Sequence, residues 1–170
     1  MRYPLAAEDQ FPRDEGICVF VDITDTETGE TVTDGMLEAG RIYRARATVS
    51  TARDRTFVAL RVPVPSGAEV LNAAFATTEQ FAGTALAQME AEEGENPSAA
   101  VRSYGLSARE IYDNEVRYFW NSFRRGYQQV EFLFRTVRQG EFQVPSATAE
   151  CMYEPEVFGR SGGSVFVISE

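Results

Sequence analysis

The sequence predicts an all-β protein, an antiparallel β-sandwich with one inserted α-helix. Apolar and polar residues alternate in about seven short runs, turn residues separate these runs, and one segment changes to helical spacing. Strands that are not interleaved with helices favour a sandwich over a parallel βαβ sheet. The chain has 170 residues, so we expect a single sandwich domain over residues 1–170, with a lead-in segment (1–15) and a helix-plus-loop insert (77–107).

The first half of the chain is predicted to contain three strands. Ile17–Ile23 is a compact apolar run, and Ile42–Val49 alternates strictly, with its arginines on one face. An arginine-bearing face is expected to meet solvent or a neighbouring domain. Phe57–Val64 follows a polar turn, so we expect it to form a hairpin with Ile42–Val49. Pro63 and Pro65 cannot donate ladder hydrogen bonds, so the strand should end there or lie at a sheet edge.

The inserted helix is predicted from a change of period. Thr77 and Gln80 form a candidate capping box, and apolar residues then recur at helical spacing. A glycine and an Asn-Pro pair prevent continuation. We therefore expect a helix over Thr78–Glu93 and a loop over Gly94–Ser107.

The second half of the chain adds five apolar runs, which are Val116–Trp120, Gln128–Val137, Phe142–Val144, Ala147–Met152 and Ser164–Ile168. We expect the first two to pair through a loop that contains Gly126, which is able to take positive φ. The next two are predicted to be one strand bent at Pro145. The last run follows a Ser-Gly-Gly turn.

The composition excludes most catalytic chemistry. All 16 basic residues are arginine, and the chain has no histidine and no lysine. This removes Ser-His and Cys-His pairs, imidazole metal ligands, Schiff bases and the phosphate-loop lysine. The net charge of −10 argues against a nucleic-acid partner. We therefore expect a protein that is not an enzyme and that has no metal and no cofactor.

No apolar run approaches the ~18 residues of a membrane span, so no direct membrane insertion is expected. The first residues also lack the basic flank and apolar stretch of a signal peptide. Met1 is consistent with a fragment excised from a larger chain.

Two cysteines allow two interpretations. Cys18 and Cys151 could form a disulfide in an exported protein, provided that the fold brings their Cα atoms within ~7 Å. We favour the alternative that both are small, buried apolar side chains.

Two acidic groups suggest calcium only faintly. One is the run Glu90, Glu92, Glu93 and Glu95, and the other is Asp22, Asp25 and Asp34. Neither follows the ligand order of a dedicated calcium loop. A solvated helix end and turn-capping carboxylates are the interpretations that we favour.

Two further patterns carry alternative functions. Glu110 and Asp113 could be the acid pair of a glycosidase, although a chain with 26 acids produces such pairs by chance. Tyr118 and Trp120, with neighbouring aromatics, could form a sugar-stacking platform, but aromatics that alternate along strands more often supply a core. With such a platform, the chain would be a stand-alone adhesive or carbohydrate-binding sandwich.

Three linked stretches carry a resemblance to a known family. They are residues 37–43 with 57–71, residues 115–119 with 126–136, and Gly140–Gly159. Together they resemble the C-terminal macroglobulin-type domain of bacterial alpha-2-macroglobulin-like proteins. In that family, a valine-aliphatic-proline-aliphatic-proline-x-glycine strand end precedes a variable insert. A glycine-x-phenylalanine-x-valine-proline strand then leads to a methionine-tyrosine-x-proline-glutamate segment. The residues in matching places in the last two motifs are Phe142, Val144, Pro145, Met152, Tyr153, Pro155 and Glu156.

The resemblance implies a macroglobulin- or fibronectin-III-like fold and a place in a larger protein that traps proteases. Such a parent is exported to the periplasm or cell surface and is usually membrane-anchored. It contacts its target proteases itself. Many members carry a thioester, which lies in a separate domain with a Cys-x-Glu-Gln motif, and some bacterial members lack it. No such motif occurs here, because Val-Phe-Val follows Cys18 and Met-Tyr-Glu follows Cys151.

The resemblance also implies the role and the residues of this domain. It would pack against the thioester-type domain of the parent and shield the reactive bond from water. The expected interface, or thioester cover, is Met152, Tyr153, Pro155 and Glu156. Simple packing of Met152 and Tyr153 at a strand end remains the alternative.

Overall fold

The computed structural model describes residues 6–71 and 106–170 of the chain. Within these ranges the secondary structure is almost entirely β, preceded by one 3-10 turn at Ala7–Asp9. The strands are β1 (Arg13–Glu15), β2 (Cys18–Asp25), β3 (Met36–Glu38), β4 (Ile42–Thr51), β5 (Arg55–Pro63), β6 (Ala68–Val70), β7 (Leu106–Ile111), β8 (Glu115–Phe123), β9 (Gly126–Thr136), β10 (Gly140–Val144), β11 (Thr148–Cys151), β12 (Glu154–Arg160) and β13 (Ser164–Ser169).

The strands form three sheets. A six-stranded sheet has the order β1-β12-β11-β5-β8-β7, a four-stranded sheet has the order β2-β4-β9-β6, and a three-stranded sheet has the order β10-β13-β3. Among the described residues, every strand pair is antiparallel except β13 with β3. The predicted all-β, antiparallel fold class is therefore confirmed.

One apolar core joins the three sheets. Val58 and Leu60 of β5 and Tyr118 and Trp120 of β8 are buried in the same cluster as inward residues of β4, β9 and β13. The hydroxyl of Tyr118 donates to the backbone carbonyl of Glu131 at 3.1 Å, which links the six-stranded sheet directly to β9. The alternation predicted for β4 is confirmed, since its apolar face is buried and its arginine face is half-buried.

The pairing predicted for these strands is wrong. β4 lies between β2 and β9, whereas β5 lies between β11 and β8. The second predicted pair, Val116–Trp120 with Gln128–Val137, is divided in the same way, since β8 belongs to the six-stranded sheet and β9 to the four-stranded one. Both connections are arches that carry the chain from one sheet to the other. Alternation predicts which side chains face the core, but a hairpin and an arch bury the same alternate residues.

The prediction of one strand bent at Pro145 is wrong. The segments on either side of this proline are two separate strands, β10 and β11, which belong to different sheets. The predicted helix Thr78–Glu93 lies outside the described residues, as does the predicted loop except for its last two residues, which start β7. Within the predicted lead-in, Arg13–Glu15 forms β1 and pairs with β12.

Candidate interaction site

The four predicted interface residues lie on the β11–β12 hairpin. Met152 and Tyr153 form its tip, and Pro155 and Glu156 lie in the first half of β12. All four are exposed, and the side chains at the tip are the most unusual: Met152 is 51% exposed and Tyr153 is 75% exposed. Two large apolar residues at a hairpin tip form a small surface that is available for contact.

The hairpin is anchored where it leaves the sheet. Ala149 and Cys151 of β11 are buried, and Cys151 lies opposite both Val58 of β5 and Glu154 of β12. The register of β11 with β12 shifts between Glu150 and Cys151, as a bulge would produce. Bulges bend a strand and re-aim its side chains. The exposed tip thus stands on a well-packed base.

A fifth residue, Phe57, belongs to the same surface. Its side chain is 43% exposed, and its ring meets the ring of Tyr153 edge to face, with centroids 5.0 Å apart and an interplanar angle of 87°. The backbone N–H of Met152 also donates to the carbonyl of Phe57 at 2.9 Å. We refer to Phe57, Met152 and Tyr153 together as the aromatic tip.

Sequence reasoning did not identify Phe57 as a site residue, although a signal was present. Val58 and Leu60 alternate as the buried face of β5, which leaves Phe57 on the opposite face. A large aromatic residue on the polar face of a strand is unusual unless it meets another surface. Its contact with Tyr153 joins residues that are far apart in the chain, and no local pattern predicts such a contact.

Carboxylates surround the aromatic tip. Glu150, Glu154 and Glu156 are exposed on the hairpin, and the guanidinium of Arg55 lies 3.7 Å from Glu154. Burial raises the pKa of the Cys151 thiol more than the nearby guanidinium of Arg55 lowers it. A protonated, buried thiol is a poor nucleophile. The surface is therefore apolar at its centre and mainly acidic around it.

The two cysteines are free. Cys151 is buried and Cys18 is exposed, and they lie in different sheets. The disulfide alternative is therefore wrong for this structure, and the favoured alternative, two buried thiols, is correct only for Cys151.

The aromatic platform suggested by the sequence is part of the core. Trp120 is 1% exposed and Tyr118 is 2% exposed, and burial raises the pKa of Tyr118. A ring that stacks on a sugar needs an accessible face. The structure therefore contradicts a carbohydrate site built on these two residues.

The predicted acid pair lies at an exposed turn and not in the cleft beside β2. Glu110 and Asp113 are both exposed near the β7–β8 turn, and Glu110 accepts a hydrogen bond from the hydroxyl of Tyr112 at 2.8 Å. Glycosidases hold two acids across a cleft. A cleft of about 660 Å³ does lie beside β2, but neither acid lines it, and its walls are largely apolar.

Two of the carboxylates singled out by the sequence, Asp25 and Asp34, stabilise turns. Asp25 accepts hydrogen bonds from the backbone N–H groups of Glu27 and Thr28 in the turn after β2. Asp34 accepts one from Met36. Across residues 6–71 and 106–170, no three cysteine or acidic side chains are grouped as a metal site would require. The acids from Glu90 to Glu95 lie outside these ranges.

In the described part of the chain, no helix is both long and apolar enough to cross a bilayer.

The sheets pack around one apolar core as a β-sandwich, and comparison with known proteins identifies the family to which this sandwich belongs. The family model for the bacterial alpha-2-macroglobulin MG10 domain matches residues 16–156. An alpha-2-macroglobulin homolog of Nostoc sp. is 26% identical over 134 residues, which are 79% of this chain and 6% of that protein. The chain belongs to the bacterial alpha-2-macroglobulin MG10 domain family.

Solved structures agree with this fold. Native Escherichia coli alpha-2-macroglobulin, spanning domain MG7 to the C-terminus, has a TM-score of 0.75 and 16% identity, covering 99% of this chain and 25% of that one. Salmonella alpha-2-macroglobulin reacted with methylamine has a TM-score of 0.73 and 18% identity, covering 99% of this chain and 10% of that one. The chain thus spans a quarter or less of the length of these relatives.

Proposed function

We propose that this chain is a non-catalytic domain of an alpha-2-macroglobulin-like protein that traps proteases. Its aromatic tip, with Pro155 and Glu156, docks on the thioester-type domain of the same parent and keeps water and amines away from the reactive bond. A thioester hydrolyses unless it is kept dry, so an apolar cover is a physical requirement. The exposure of Met152 and Tyr153 on a firmly anchored hairpin carries this proposal.

The wider setting of the parent is part of the same proposal. The parent is exported to the periplasm or the cell surface and is anchored in a membrane by a segment outside this domain. Target proteases meet the parent, and this domain contacts its sister domains. Membership of the MG10 family supports this setting.

The chemistry of the tip suits a cover that can be released. A methionine side chain adapts its shape to an irregular pocket, and a tyrosine buries a large ring while its hydroxyl remains able to hydrogen-bond. Such contacts hold by burial of apolar area and break without chemistry. A domain with this role needs no catalytic group of its own.

The test measures thioester exposure in the full-length parent. Methylamine opens an accessible thioester and releases a thiol, which can be titrated over time. Replacing Tyr153 by alanine should accelerate thiol release about tenfold, because the lost apolar contact is worth about 1.4 kcal/mol or more. Tyr127→Ala is the matched control, since Tyr127 is 51% exposed but lies on β9 of the four-stranded sheet, whereas the hairpin belongs to the six-stranded sheet.

Two outcomes count against this function. An unchanged rate of thiol release in Tyr153→Ala would contradict the docking role of the tip. An upstream reading frame that encodes no further domain would contradict the proposal of a larger parent.

A further inference from the structure

Phe57 has a backbone conformation that non-glycine residues avoid. Its φ is +53°, and every other described residue with positive φ is a glycine. In this left-handed region the Cβ of an L-residue crowds the following carbonyl, and bulky side chains are rare there. Such strain persists only where the surrounding structure fixes it, and it often marks a functional position.

The strained residue makes two contacts with the hairpin tip. Its carbonyl accepts the N–H of Met152 at 2.9 Å, and its ring meets Tyr153 edge to face. The ladder with β8 continues on both sides, since Thr56 lies opposite Ser122 and Val58 opposite Trp120. The unusual conformation is thus confined to one residue in an otherwise regular strand.

We propose that Phe57 is a positioning residue that holds the ring of Tyr153 in the orientation in which it docks. This inference rests on the proposed function of the tip. A side chain that is 75% exposed would otherwise sample several rotamers, and fixing one on binding costs entropy. The edge-to-face contact with Phe57 meets that cost before the partner arrives, so the aromatic tip docks as a preformed unit.

Four variants of Phe57 and Tyr153 separate this role from simple packing. Phe57→Leu keeps apolar volume but removes the ring, and Phe57→Tyr restores the ring. Phe57→Gly removes the ring and also relieves the strain, since glycine adopts positive φ readily. Tyr153→Ala measures the whole contribution of the tip.

The first measurement uses the chain by itself and does not depend on the proposed function. The NMR resonances of the Tyr153 ring should carry a ring-current shift from Phe57, assigned by comparison with Tyr153→Ala. Phe57→Leu and Phe57→Gly should move these resonances towards unstructured values, and Phe57→Tyr should retain the shift. Unchanged Tyr153 resonances in Phe57→Leu would overturn the inference.

The second measurement uses the full-length parent and methylamine. Phe57→Leu and Phe57→Gly should each accelerate thiol release about threefold to tenfold, and Phe57→Tyr should react like the parent protein. Phe57→Gly should do so without a lower melting temperature, which a purely structural role would not produce. If Tyr153→Ala accelerates the reaction and Phe57→Leu does not, the positioning role fails while the docking function stands. If neither variant accelerates it, the docking function fails and the positioning role fails with it.

Discussion

The carboxylate of Asp25 lies 2.9 Å from the guanidinium of Arg41 and closes the turn after β2. The same carboxylate accepts the backbone N–H of Glu27 at 2.7 Å, while Arg41 also contacts Glu38 at 2.7 Å. Burial alone would raise the pKa of Asp25, but the Glu27 N–H and the Arg41 guanidinium outweigh it, so the pKa is lowered. One carboxylate thus fixes both the turn and the start of β4.

This arrangement predicts a pH dependence of stability. The pKa of Asp25 is lower in the folded state than its ordinary value of 3.8. Its contribution to the stability of the fold is therefore complete above pH 3.8. The contribution is lost as the pH falls through the folded pKa. The free energies of unfolding of the wild type and of Asp25→Asn, measured in urea, should differ most near neutral pH and become equal in acid. A difference that grew as the pH fell would contradict the sign argued here.

The free cysteines predict selective chemical modification. Cys18 is exposed, whereas Cys151 is 3% exposed with a pKa raised by burial. Iodoacetamide attacks the thiolate, so the folded chain should take up one label, and unfolding should admit the second. Mass spectrometry of peptides identifies the labelled residue, and Cys18→Ser should abolish labelling of the folded chain. Rapid labelling of Cys151 would show that β11 opens readily.

The sequence allowed us to predict where the strands lie and which of their side chains face the core, but not which strands pair. The buried face of β4 follows from alternation alone. In contrast, the carboxylate of Asp54 accepts the backbone N–H of Arg125 at 2.8 Å, and this bond joins the β4–β5 arch to the β8–β9 arch. The two residues are 71 positions apart, so no local pattern indicates that the chain changes sheet at each of them.

Only part of the site could be predicted from the sequence, because local motifs do not show which distant residues meet. The resemblance located Met152 and Tyr153 through a short motif, and both lie at the exposed tip. Phe57 comes from a distant segment, and its positive φ and its bond to Met152 are visible only in the folded chain. Short, polar strands such as β1 and β12 were also missed, because their burial alternates weakly.

The buried position of Trp120 predicts a large effect on stability. Trp120 is 1% exposed and packs against both Tyr118 and Phe123 in the core. Replacing Trp120 by alanine removes these contacts and leaves a cavity, so the free energy of unfolding should fall by roughly 3–5 kcal/mol. Urea denaturation measures the loss, and Tyr127→Ala should change stability by less than about 1 kcal/mol. A Trp120→Ala protein of normal stability that lost glycan binding would restore the carbohydrate alternative.

β12 approaches the backbone of Ile17 closely, which predicts that replacing Gly159 destabilises the fold. A Cβ on Gly159 would lie 1.8 Å from the backbone carbonyl oxygen of Ile17. Among the described residues, the nearest atom to a Cβ on Gly162 would be the Cδ of Pro12 at 3.6 Å, an ordinary contact distance. The obstruction at Gly159 is backbone, which cannot rotate away, so β12 would have to move. Overpacking of this kind typically costs about 1–3 kcal/mol. We therefore expect Gly159→Ala to lower the melting temperature clearly, and Gly162→Ala to leave it nearly unchanged. Because β12 also forms one arm of the hairpin, Gly159→Ala should in addition disturb the NMR resonances of Tyr153. Equal melting temperatures for the two variants would mean that Ile17 and β12 are farther apart in solution than in this structure.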